Sequence, residues 1–137
     1  MKRITIILAS IIALISCTKS ELKDPQERDK QRLEDMLRDI HNIVDSVDCE
    51  DSADWEFTAI GSKACGGPQS YIAVPLAIDT GKFMDQVRRY TKAEQDYNVA
   101  YKIISTCDVV APPTDVVCED GKPKLIYAKI SSPAKPD

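Results

Sequence analysis

The residues best suited to chemistry are five cysteines, at positions 17, 49, 65, 107 and 118. A cysteine can act as a nucleophile, bind a metal or pair as a disulfide. Nucleophilic catalysis needs a free thiol with a base beside it. The chain has one histidine, His41, with no Cys or Ser motif near it, and it reads as an ordinary helix residue. Zinc prefers clustered ligands, but no Cys-x-x-Cys occurs and there is no second histidine. Gly-x-Ser-x-Gly, His-Glu-x-x-His and phosphate-loop patterns are absent. Asp48, Glu50, Asp51 and Asp54 surround Cys49 and could offer oxygens to calcium. Their spacing follows no calcium loop, so they read as a solvated acidic turn. A carboxylate-based hydrolase is the one enzymatic route left open, because it depends on separations in space rather than in sequence. The pattern as a whole points away from an enzyme, and no metal or cofactor is expected.

Disulfides persist only in an oxidising compartment, and the amino terminus supplies the route to one. Met1-Lys2-Arg3 is a basic start, followed by an apolar run from Ile4 to Ile15. That run is too short to span a bilayer, which takes roughly 20 residues, and it has the length of a secretory core. Its end, Leu14-Ile15-Ser16-Cys17, resembles the lipobox of bacterial lipoproteins: an aliphatic residue, a tolerant position, a small residue and cysteine. The resemblance implies a signal peptide at 1–16, cleavage before Cys17, a diacylglyceryl group on the Cys17 thiol and usually an acyl chain such as palmitate on the new amino group. Two or three chains hold a protein to a membrane stably where one does not. The expected location is the cell envelope, anchored by lipid and facing the periplasm or the exterior. Residues 17–27 then form the lipidated cysteine and its polar tether. With Cys17 used, four cysteines remain. They allow three pairings, of which the shortest loops, Cys49–Cys65 and Cys107–Cys118, are favoured.

Removing Lys2 and Arg3 with the signal leaves 16 basic against 22 acidic residues, a net charge of −6. That sign opposes binding to nucleic acid, where Lys and Arg must neutralise phosphates. It also opposes a basic patch lying on an anionic membrane. The length allows one domain, here 28–130, with a frayed tail at 131–137. Its core is small enough to benefit from cross-links.

The elements that must position the cysteines can be read from periodicity. Leu33, Met36, Leu37, Ile40, Ile43, Val44 and Val47 form one apolar stripe of a helix over Pro25–Val47. Trp55–Ile60 alternates as a strand, with Trp55, Phe57 and Ala59 on one face. Tyr71–Val74 is a second short strand, limited by Pro75. Asp79 or Thr80 caps another helix running to about Tyr101, whose inner face carries Phe83, Val87, Tyr90, Tyr97, Tyr101 and one polar break, Glu94. Val116–Cys118, the Asp120-Gly121 turn and Leu125–Tyr127 form a terminal hairpin. The order of elements gives an α+β fold, a small antiparallel sheet covered by two amphipathic helices and stapled by two disulfides.

Between the first two strands lies Gly61-Ser62-Lys63-Ala64-Cys65-Gly66-Gly67-Pro68-Gln69-Ser70. The segment resembles a core found in small exported bacterial proteins of unassigned function, where Cys-Gly-Gly-Pro leads into a stretch such as Tyr71-Ile72-Ala73. The resemblance spans roughly residues 49–127 and implies no activity. Gly66 and Gly67 permit positive φ angles, and a disulfide at Cys65 would pre-order the loop, lowering the entropy lost on binding. Lys63, Gly66, Gly67, Pro68 and Gln69 are therefore the candidate binding residues, with Lys63 and Gln69 expected to be offered to a partner. The same geometry is that of a purely structural turn, the simpler reading of the loop. The expectation for function is a non-catalytic, inhibitor-like binding module that recognises another exported protein. The alternative is a structural envelope lipoprotein without a dedicated ligand.

Overall fold

A computed structural model describes residues 24–128 of the chain. The signal, the lipobox with Cys17, most of the tether and the tail at 131–137 lie outside the described residues. The order is helix α1 (Pro25–Asp45), strands β1 (Trp55–Ile60) and β2 (Ser70–Pro75), helix α2 (Thr80–Ala100), and strands β3 (Asp115–Glu119) and β4 (Lys122–Ile126). A single helical turn at Ser52–Asp54 leads into β1. The class is α+β, with two helices and two antiparallel ribbons, β1–β2 and β3–β4, in place of one continuous sheet.

Pro25 takes the first position of α1, where its missing N–H leaves no bond unmade. The helix begins at Pro25, as the periodicity predicts, and so takes in residues 25–27 at the end of the stretch assigned to the tether. It stops two residues short of Val47, and Ser46 Oγ closes its end by donating to the Ile43 carbonyl at 2.7 Å. All seven residues of its stripe face the core: Ile40 and Val44 are buried, and the other five pack around them. His41 is exposed. Helix α2 is capped by Asp79, whose carboxylate accepts from the Lys82 N–H at 3.0 Å.

In the β1–β2 ribbon Trp55 pairs with Pro75 and Ile60 with Ser70. Burial follows the expected alternation at Trp55 and then switches, leaving Ala59 exposed and Ile60 buried. The switch occurs where β1 passes to Gly61, whose N–H bonds Thr91 of α2, so the strand ends beneath the helix. Strand β2 is buried from Ile72 to Pro75. The β3–β4 turn has positive φ at both Asp120 (52°) and Gly121 (74°), the geometry whose twist suits a two-residue hairpin.

The disulfides correct the local pairing: Cys49 joins Cys118, and Cys65 joins Cys107. The pairing follows from packing. The chain leaving α1 meets the terminal hairpin, where the Cys49 N–H donates to the Gly121 carbonyl at 2.9 Å, so Cys118 is the neighbouring thiol. One cluster, with Phe83, Ile40, Trp55, Ile72, Val87 and Val116 among its members, unites both helices and both ribbons. That cluster and both cross-links lie within residues 24–128, which makes this stretch a unit able to fold by itself.

Candidate functional site: a glycine loop held at three points

The loop joining β1 to β2 is fixed first by α2. Thr91, Glu94 and Asn98 recur at three- and four-residue spacing along one side of that helix, and each meets loop backbone. The Gly61 N–H donates to Thr91 Oγ1 at 3.0 Å, and the Ser62 N–H donates to Glu94 Oε2 at 2.6 Å. Asn98 Nδ2 donates to the Ser62 carbonyl at 2.7 Å. The other oxygen of Glu94 accepts from the Tyr90 hydroxyl at 3.2 Å. Burial, then the nearby Glu94 charge, raise the Tyr90 phenol well above its ordinary range, so it stays a donor. Gly61 is required by space: a Cβ there would stand 2.5 Å from Glu94 Oε2 and 2.7 Å from Gln69 Cβ.

The second fastening is Lys63. It is 8% exposed, and its ammonium donates to the Asp108 carbonyl at 2.8 Å and pairs with the Asp108 carboxylate at 3.0 Å. A buried ammonium needs such partners. The bond from the Thr106 side chain, then Lys63, hold the Asp108 carboxyl down at about 2. This corrects the expectation that Lys63 is offered to a partner: its charge is spent inside the protein, on the segment that follows α2. The third fastening is the Cys65–Cys107 disulfide to the same segment, beside a bond from the Cys65 N–H to Ser105 Oγ at 3.3 Å.

Within the loop, the Gly66 N–H donates to the Lys63 carbonyl at 2.9 Å and the Lys63 N–H to the Gly67 carbonyl at 3.0 Å. These bonds make a tight knuckle. Gly66 and Gly67 sit at φ 97° and 81°, and a Cβ on either would meet nothing within 4 Å. These two glycines therefore serve backbone conformation, and the space above them is open. Gln69 is exposed and Pro68 is half-buried. Across the disulfide, Ile104 and Val109 are 93% and 92% exposed. A hollow of about 400 Å³ runs under this edge, lined in part by Leu37, Gln69, Tyr90, Ile104 and Ser105.

The structure thus brings together Lys63, Gly66, Gly67, Pro68 and Gln69, with Lys63 turned inward. Sequence reasoning missed Thr91, Glu94, Asn98, Ser105 and Asp108. The signal for the helix trio was present as polar residues at helical spacing on an inner face, of which Glu94 alone stood out. Among the described residues, no three His, Cys, Asp or Glu side chains converge as a metal site would need. In the acidic turn, Asp51 accepts from the Ala53 N–H at 2.9 Å and so caps the short helical turn. The chain matches no protein-family model, no curated protein and no solved structure.

Proposed function

We propose that the protein is a lipid-anchored component of the cell envelope that binds another exported protein through the Gly66-Gly67 knuckle and the neighbouring Ile104 and Val109. The single observation that supports the binding role is the near-complete exposure of Ile104 and Val109 on a segment tied down by a disulfide and by Lys63. Isolated exposed aliphatics are ordinary. Two of them flanking a cross-linked loop cost little conformational entropy to bury against a partner. The lipobox residues Leu14–Cys17 support the anchored location. A non-catalytic, inhibitor-like role suits a surface whose Lys63, Glu94 and Asn98 are all engaged in holding backbone or carbonyl groups.

The test uses the 24–128 domain as bait against envelope extract, with an Ile104→Asp/Val109→Asp variant and a Gln69→Ala variant beside it. A protein retained by the wild type and lost with the aspartates supports the role. A protein retained by every variant would overturn the assignment to this surface, and no retained protein at all favours the structural alternative. For the anchor, Cys17→Ala should abolish incorporation of labelled lipid and either release the chain from the membrane fraction or leave it unprocessed. Unchanged labelling and fractionation would overturn that part.

A further inference from the structure

Helices α1 and α2 carry a second hollow, which meets the one beneath the knuckle at Leu33 and Tyr97. Helices α1 and α2 are bridged where Gln26 Nε2 donates to the Tyr97 hydroxyl at 3.4 Å and the Tyr101 hydroxyl donates to Asp29 Oδ2 at 2.6 Å. Alongside these bridges they enclose an open groove of about 610 Å³, within the size range of small-molecule sites. Its apolar lining is Leu33 and Met36 from α1 and Ala93 and Tyr97 from α2. Arg32 and Arg89 line it from opposite helices.

The charges of the groove are distributed unevenly. Its acids are engaged: Asp85 pairs with Arg88, Asp96 with Lys92, and Asp29 receives the Tyr101 hydroxyl. The Tyr101 phenol, pushed up to about 12 chiefly by that bond, stays protonated and keeps Asp29 occupied. Among the described residues, Arg32 and Arg89 make no ion pair or side-chain hydrogen bond, while sharing an apolar lining. A guanidinium recognises phosphate or carboxylate through two parallel bonds, and an apolar lining favours a hydrocarbon.

We propose that this groove binds a single-chain amphiphile with an anionic headgroup, the chain along Leu33, Met36, Ala93 and Tyr97 and the head between Arg32 and Arg89. A free anion would leave the apolar lining uncovered. A bilayer surface is flat where the groove is concave, and the net charge of −4 repels an anionic membrane. A monomeric amphiphile meets both conditions.

Calorimetric titration of decyl phosphate, kept below its micelle concentration, into the 24–128 domain tests this. One equivalent should bind, and decanol or inorganic phosphate alone should bind at least about tenfold more weakly. An Arg32→Gln/Arg89→Gln variant should lose about tenfold or more in affinity with its Tm unchanged, since both side chains are exposed. Ala93→Leu, which narrows the groove and keeps the charges, should weaken decyl phosphate and leave inorganic phosphate unaffected. The proposal is overturned if the double variant binds like the wild type or if decyltrimethylammonium binds as tightly as decyl phosphate. It is equally overturned if heat appears only once micelles form, or if sedimentation shows a dimer that the arginine substitutions dissociate.

Discussion

Deleting the disulfides one at a time separates the roles of the two cross-links and tests the pairing itself. Cys49–Cys118 closes a separation of 69 residues and Cys65–Cys107 one of 42. Loop-closure entropy assigns these about 4.4 and about 3.9 kcal/mol at 25 °C. The local pairing would close separations of 16 and 11 residues, for about 3 kcal/mol each. Burial widens the difference between the native bonds. Cys49 is 3% exposed and belongs to the core, with Cys118 packed against it, so Cys49→Ala/Cys118→Ala also loses packing. Cys65 and Cys107 are exposed, so Cys65→Ala/Cys107→Ala loses the entropic part alone. Domains have only about 5–15 kcal/mol in all, so the first variant should unfold at markedly lower urea than the second. Both should show a larger m-value, because the unfolded chain expands when a cross-link is removed. Urea transitions followed by circular dichroism measure this, with a free-thiol assay in denaturant on each variant. Cys49→Ala/Cys118→Ala should show no free thiol, because Cys65 and Cys107 still pair. Two free thiols per chain would mean that each remaining cysteine had lost its partner, and the packing argument for the nested arrangement would fail.

Further outcomes follow from the loop and its fastenings. Gly61→Ala should cost about 3 kcal/mol, because a methyl there collides with Glu94 Oε2 and Gln69 Cβ at a positive φ. Gly66→Ala faces open space and should cost only the strain of its backbone, about 1–2 kcal/mol; equal losses in thermal unfolding would refute the distinction. Asp108 should stabilise the fold at neutral pH. Its carboxyl falls from an ordinary 3.8 to about 2 on folding, so the contribution is present above 3.8 and is lost as pH falls through about 2. Acid unfolding of wild type and Asp108→Asn should therefore converge toward pH 2, and a gap that persists below it would count against the Lys63–Asp108 pair. Lys63→Met, which keeps the buried stem, should be better tolerated than Lys63→Ala, which loses about 2–3 kcal/mol of apolar burial.

What the sequence made legible was whatever a local period could encode. The α1 stripe, the Asp79 cap of α2 and the Asp120-Gly121 turn each depend on residues a few positions apart, and all three are in place. What it concealed depends on returns of the chain. Lys63 looked available because a lone lysine in a glycine-rich loop is normally solvated, and its partner lies 45 residues on, in a segment with no period of its own. Cys65 favoured the nearer Cys49 for the same reason: short loops are entropically easy to close, and only the packed core reverses that preference. The two errors share one cause. The segment after α2 folds back against the β1–β2 loop and supplies Ser105, Cys107 and Asp108 together. An irregular stretch carrying a disulfide partner, a counter-ion and two bare aliphatics gains its shape between Ser105 and Asp108 from that contact. Loss of the contact should therefore scatter Ile104 and Val109 while the helices and both ribbons remain, so the order of the surface proposed to meet a partner depends on the Cys65–Cys107 and Lys63–Asp108 ties.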